Sequence, residues 1–140
     1  MEIKTIVNRL VEKYQTKDPF VLASCLNIST NLWPLHENIQ GLYQNFKRNK
    51  FIFINDNLLY EQQKIVLAHE IGHAVLHKGL NVCFLEANTF FIKNKFETEA
   101  NRFAVELLIT DEMIYRFEGY TVEQIATAME IDVNMLKLKL

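Results

Sequence analysis

Residues 61–77 read EQQKIVLAHEIGHAVLH, and this stretch decides both the fold class and where chemistry should be sought. Ile65, Ala68, Gly72 and Val75 recur at helical spacing, so a helix is expected over about 61–77, with Gly79 as its C-terminal cap. Inside it stands His69-Glu70-Ile71-Gly72-His73. Residues four apart on a helix share a face about one turn apart, so both imidazoles can reach one tetrahedral cation. Glu70 is turned by roughly 100° from His69. It can therefore stand beside such an ion rather than on it, where a general base for a water must be. Ala68, Ile71, Ala74 and Val75 put the pair beside a buried surface, which argues against an exposed helix that merely carries histidines. Gly72 costs about 1 kcal/mol relative to alanine in a helix. It makes sense where backbone or a ligand must pass close by.

Two histidines leave a catalytic metal site one protein ligand short. Downstream, KFETEANRFAVELLITD is expected to form a helix over about 96–109, with Phe96, Ala100, Phe103, Ala104, Leu107 and Leu108 as its apolar stripe. Of its acids Glu97, Glu99 and Glu106, Glu97 lies roughly 60° from the centre of that stripe and Glu99 roughly 100°. A carboxylate at the edge of a core needs a partner, and a metal ion is a good one. Glu97 is therefore the expected third ligand, with Glu99 as the alternative. Asn101, one turn beyond Glu97, is placed to hold a ligand histidine or carboxylate. His77 continues the histidine face, but three histidines at that spacing span about 12 Å, too far for one ion. It is expected to act as a cation at the helix end or to hold a ligand in place, with transition-state stabilisation as the alternative. His36 reads as structural or exposed, and Tyr43 and Tyr60 are both candidates to donate to an oxyanion. Imidazole plus carboxylate suits Zn²⁺ first, with Mn²⁺, Fe²⁺ or Co²⁺ as alternatives. The same triad serves non-haem iron oxygenases, whose ligands do not normally come with an adjacent glutamate on one helix.

Around this site the periodicity changes several times. Ile3, Ile6, Val7, Leu10, Val11 and Tyr14 predict an amphipathic N-terminal helix, and Asp18-Pro19 opens a second one through about Leu26. Trp33-Pro34 then breaks the pattern. Residues 39–55, IQGLYQNFKRNKFIFIN, predict a β-hairpin with Phe51 and Phe53 on one face and Ile52 and Ile54 on the other. The Lys47-Arg48-Asn49-Lys50 cluster reads as a solvated hairpin tip rather than a nucleic-acid patch, because the charge around it is balanced. Val82–Asn94 has no clear period and is expected to be loop with a short strand. Thr110-Asp111 caps another helix, and a final helix begins at Thr121, whose Gln124 suits a capping box. C-terminal helices thus occupy about 111–140. The expected architecture is α+β, with several helices packed on a small, mostly antiparallel sheet.

Composition sets the outer limits. A chain of 140 residues with 49% hydrophobic and 23% charged residues suits one globular domain spanning 1–140, and four Gly and two Pro leave no linker. Fifteen Lys+Arg against seventeen Asp+Glu give a formal charge of −2, which excludes a strongly basic chain acting through phosphates or anionic lipid. No apolar run approaches the roughly 18 residues of a membrane span. The charged start MEIKTIVNRLVEKYQ is not expected to be a secretory signal. Two unpaired cysteines, Cys25 and Cys83, suit a reduced cytoplasmic protein.

These motifs resemble the ImmA/IrrE family of metallopeptidases, small zincins of phages, mobile genetic elements and stress regulation. Phe53-Ile54-Asn55 resembles the family's strand ahead of the catalytic helix. His69-Glu70-Ile71-Gly72-His73 with Leu76-His77 resembles its H-E-[LI]-G-H-x-x-L-H signature. Glu97, Ala100, Asn101, Phe103, Ala104, Leu107 and Leu108 resemble its second motif, E-x-x-A-N-x-F-A-x-x-L-L. The segments ELLITDEMI and TVEQIA are similar to the ImmA-type anti-repressors. Ile109-Thr110 stands where the family usually has Met-Pro, a departure that touches helix termination rather than chemistry. The resemblance implies a minimal, thermolysin-like zincin domain with one Zn²⁺ on two histidines and a glutamate. It also implies regulated cleavage of a helix-turn-helix repressor, which would derepress a phage or mobile element, with selectivity from substrate docking or an activating partner. The sensor domain of the larger members is not expected in a chain ending at Leu140.

Two other functions compete with this one. A non-cleaving repressor-binding module would have no need of Glu70. A DNA-binding regulator draws on TVEQIATAMEIDVNMLKLKL, where Ile125, Ala126, Ile131, Val133 and Leu136 imitate half a helix-turn-helix. The segment 134–140 that would read DNA carries only Lys137 and Lys139. A helix pair that packs on the catalytic domain or docks a partner explains the same pattern, so direct DNA binding is not expected.

Overall fold

The chain places the helix that carries His69 and His73 between a sheet and a second long helix. The computed structural model describes residues 2–78 and 95–140, and the backbone alone of residues 82–85. Helix α1 (Ile3–Tyr14) buries Ile3 and Val7 and ends at Gln15, which turns left-handed with φ 53°. Helix α2 (Pro19–Cys25) starts as its sequence predicts: Pro19 occupies the first turn, and the Asp18 side chain accepts from the Phe20 N–H at 2.9 Å.

Strand β1 (Ile28–Trp33) follows, where no strand is expected from sequence. Only Ile28 of ISTNLW is buried, so no apolar alternation announces it. It is an edge strand held by parallel pairing to β3 (Asn49–Asn55), from Ile28 opposite Lys50 to Trp33 opposite Asn55. Strand β2 (Ile39–Phe46) forms the expected antiparallel hairpin with β3, and its turn is tighter than the four-residue tip KRNK. Phe46 already pairs with Asn49, and Lys47 and Arg48 both take positive φ, 50° and 69°, as a two-residue hairpin turn requires. Strand β4 (Val82–Leu85) pairs antiparallel with β2, giving the order β1-β3-β2-β4. The sheet is therefore mixed but mostly antiparallel. Residues 86–94 of the expected loop lie outside the described residues.

Ile52, Ile54 and Tyr43 are fully buried on the sheet face that receives helix α3 (Tyr60–Leu76). Gly41, on that face of β2, sits so close to α3 that a Cβ there would be 2.7 Å from Val66 Cγ1 and 3.5 Å from Glu70 Cγ. On α3's other side lies α4 (Lys95–Leu108), which itself packs against α1. Every residue from Val66 to Ala74 is buried, so the middle of α3 is enclosed all round. The helix stops at Leu76 and His77 serves as its C-cap, its N–H bonding the His73 carbonyl at 2.8 Å. Gly79, the expected cap, lies outside the described residues.

The C-terminal third is α5 (Asp111–Tyr115), α6 (Val122–Met129) and α7 (Val133–Lys137). Thr110 and Thr121 cap their helices as expected, and Thr121 and Gln124 exchange both bonds of a capping box. The helix that begins at Thr121 ends at Met129 and a second follows it, so this segment forms a helix pair. Glu130 turns left-handed at φ 57°, and Asp132 caps the second by accepting from Asn134 N–H at 2.8 Å. Met135 and Leu136 of α7 are buried in the core. Lys139 closes the chain onto α4 and α5, with its buried ammonium 3.1 Å from both Glu106 Oε1 and Asp111 Oδ1. Among the described residues no helix is long and apolar enough to cross a membrane.

The spacing of α3 from α4 rests on Gly72. A Cβ there would meet Phe103 Cβ at 3.0 Å and the Ala100 Cα and carbonyl oxygen at 3.2 Å. Two of those atoms are backbone and cannot rotate away. Gly72→Ala therefore adds about 1 kcal/mol of helix propensity but overpacks the interface at a cost of about 1–3 kcal/mol. A lower midpoint in urea unfolding is expected; a raised midpoint would contradict this packing.

Candidate metal centre

The close approach of α3 and α4 brings the predicted residues together. His69 and His73 project from one face of α3 with their Nε2 atoms 3.2 Å apart. Glu97 enters from the first turn of α4: its Oε2 is 3.0 Å from His69 Nε2, and both its oxygens are 3.1 Å from His73 Nε2. Both imidazoles are completely buried, whereas the Glu97 side chain keeps 16% exposure. Asn101 lies against His69: its Oδ1 is 2.6 Å from His69 Nδ1. An amide oxygen only accepts, so His69 carries its proton on Nδ1 and turns the lone pair of Nε2 toward Glu97.

This donor set fits a metal ion. A tetrahedral ion with bonds of about 2.0–2.1 Å holds its donors about 3.3–3.4 Å apart, close to the separations here. Imidazole lone pairs facing a carboxylate at such distances need a cation among them. A proton is a poor substitute. Burial holds His69 below the ordinary imidazole value against the pull of Glu97. Burial alone would raise Glu97, but His69 and His73, wherever a proton stands on the Nε2 that faces it, outweigh burial and bring the carboxyl down to about 2. The site thus favours a carboxylate with positive charge beside it, yet His69 resists carrying that charge as imidazolium.

Glu70 occupies a different position. It is wholly buried, its Oε1 is 4.0 Å from His69 Nε2, and neither oxygen has a hydrogen-bond partner among the described residues. One ligand atom each from His69, Glu70 and His73 falls within 4.8 Å of the others. The shorter distances of Glu97 nonetheless make it the tighter complement to the histidines. Burial, and then the charge of Glu97, raise the Glu70 carboxyl well above its usual range. An unpartnered carboxyl one step from three converging donors is suited to exchange protons with a water there.

The remaining candidates separate clearly. Glu99, the alternative ligand, turns away from the cluster and bonds His77 Nε2 at 2.9 Å. His77 Nδ1 lies 3.0 Å from His73 Nδ1, on the side opposite Glu97. Tyr43 is fully buried on β2, its hydroxyl has no partner among the described residues, and burial followed by the Glu70 charge pushes it up. Tyr60 is 56% exposed and stacks on Phe20, remote from this role. His36 is exposed and accepts from the Asn38 N–H. The sequence could not rank the two tyrosines, because strand pairing and not chain proximity decides which one reaches α3.

Residues 23–140 match the IrrE N-terminal-like domain of the M78 peptidases. The chain belongs to this peptidase family. It is 42% identical over 139 residues to an uncharacterized immunity region protein 2 of Bacillus phage phi105, covering 98% of this chain and 88% of that one. It is 37% identical over 106 residues to metallopeptidase ImmA of Bacillus subtilis strain 168, covering 71% of this chain and 62% of that one. A family of metallopeptidases accords with a donor set that suits a divalent metal.

The raised Glu70 carboxyl has a stability signature. An acid whose folded pKa lies above its unfolded value, here 4.5, contributes stability fully below 4.5 and loses it as pH rises through the folded value. With chelator present, Glu70→Gln should melt near the wild type at pH 4 and increasingly above it toward pH 7, by about 2–4 °C per kcal/mol. A melting difference that does not change with pH would contradict the burial of an unpartnered carboxyl.

Proposed function

We propose that this protein is a zinc-dependent endopeptidase that cleaves a helix-turn-helix repressor and so derepresses a phage or mobile element. The observation that carries the reading is the convergence of His69, His73 and Glu97 at 3.0–3.2 Å, with a buried Glu70 beside them that has no hydrogen-bond partner among the described residues. His69, His73 and Glu97 would hold one Zn²⁺, with Mn²⁺ or another divalent ion as the alternative. Bound there, the cation supplies Lewis acidity toward the scissile carbonyl and acidifies a water. Glu70 takes the proton from the attacking water and delivers it to the leaving amide nitrogen. Asn101 keeps His69 in the tautomer that leaves Nε2 free. Tyr43, buried and without a hydrogen-bond partner among the described residues, is better placed than Tyr60 to donate to the oxyanion.

The substrate class rests on kinship. One relative is named as an immunity region protein and another as a metallopeptidase, which supports a peptidase acting on the regulator of an immunity region. The near-neutral charge of −2 suits a protease whose target, rather than itself, binds DNA. A direct DNA-binding role has little surface to use: α7 spans only Val133–Lys137 and spends Met135 and Leu136 on the core.

The test is the size of the repressor encoded alongside it after incubation with this protein and zinc, with and without chelator. Cleavage that chelator abolishes is expected. Glu70→Gln should retain metal and lose at least about 10²-fold in rate, and His73→Ala should lose the metal. Stable capture of an intact repressor under all these conditions would favour a non-cleaving binder instead.

A further inference from the structure

His77 and Glu99 take no direct part in the cluster, yet they form a chain that ends on it. His77 is 6% exposed and sits at the C-cap of α3, with its ring edge-on to Phe96 at 4.7 Å. Its Nε2 is 2.9 Å from Glu99 Oε1, and its Nδ1 is 3.0 Å from His73 Nδ1. A carboxylate can only accept, so the proton of a neutral His77 resides on Nε2 and donates to Glu99. His77 Nδ1 is then an acceptor. The one proton between the two Nδ1 atoms belongs to His73, which leaves His73 Nε2 bare and aimed at Glu97, 3.1 Å away.

We propose that His77 and Glu99 are positioning residues that orient His73 for metal through the relay Glu99–His77–His73. The inference rests on the reading of His73 as a metal ligand. It mirrors what Asn101 does for His69 at 2.6 Å, so two unlike devices set both imidazoles in one tautomer. The devices differ in charge. Asn101 presents a neutral amide, whereas Glu99 presents a carboxylate, which through the intervening imidazole makes His73 the more electron-rich donor. Glu99 keeps 34% side-chain exposure, so the relay runs from the enclosed site to the surface.

Zinc affinity measured by competition with a chromogenic chelator tests the relay without recourse to activity. His77→Leu removes the acceptor at similar volume and should weaken zinc binding by about 10–100-fold, as loss of outer partners of metal ligands generally does. His77→Asn places an amide oxygen near the former Nδ1 and should recover most of that loss. Glu99→Ala should weaken binding by less than His77→Leu and leave the melting of the metal-free protein unchanged. Wild-type affinity in His77→Leu, or an equal loss in His77→Leu and His77→Asn, would overturn the relay. His73→Ala separates the premise from the inference: if it binds zinc as well as the wild type, the ligand reading itself has failed.

Discussion

Two imidazole nitrogens and a carboxylate held within 3.0–3.2 Å of one another form the constraint on which the rest of this structure depends. Left without a cation, such a cluster is costly, because lone pairs face a negative charge where little water can screen it. The protein nonetheless builds it from two fully buried imidazoles and one partly exposed carboxylate, with the buried Glu70 beside them. His69, Glu70 and His73 sit in the middle of a helix enclosed on all sides, and the oxygens of Glu70 find no partner within the described residues. A core of this size has little reason to enclose three ionisable groups unless their assembly serves a purpose. Membership of a metallopeptidase family supplies that purpose.

Backbone geometry makes the cluster reachable. Glu97 sits on α4, and its carboxylate meets the histidines only because α3 and α4 lie almost in backbone contact at Gly72 and Ala100. On the opposite side Gly41 lets β2 come equally close to Val66 and Glu70. Two glycines on opposite sides of one helix thus clamp it between sheet and helix. The same enclosure removes water from Glu70 and raises its carboxyl. Packing and proton affinity therefore share one origin.

The parts of the site that were legible in sequence are the local ones. His69 and His73 are an i,i+4 pair, and helix periodicity alone places them on one face. Glu97 required a phase argument about a second helix; the apolar stripe of α4 is well defined, and the structure brings this carboxylate beside the histidines. Asn101 was placed to hold either a ligand histidine or a carboxylate, and only the packing of α4 on α3 shows that its amide reaches His69. Glu99 was weighed as a ligand and instead holds His77, a pairing that depends on how the end of α3 lies against the start of α4. Strand β1 escaped notice because an edge strand with one buried residue has no periodicity to read. The exact place of the break between α6 and α7 has no glycine or asparagine to mark it, because Glu130 adopts the left-handed turn.

The most direct measurement of the central claim is anomalous diffraction at the zinc edge from crystals of the zinc-loaded protein. A single peak is expected, at about 2.0–2.2 Å from Nε2 of His69, Nε2 of His73 and an oxygen of Glu97, with Glu70 beside it and unbound. A peak ligated by Glu70 in place of Glu97, or zinc bound only at surface groups, would contradict it.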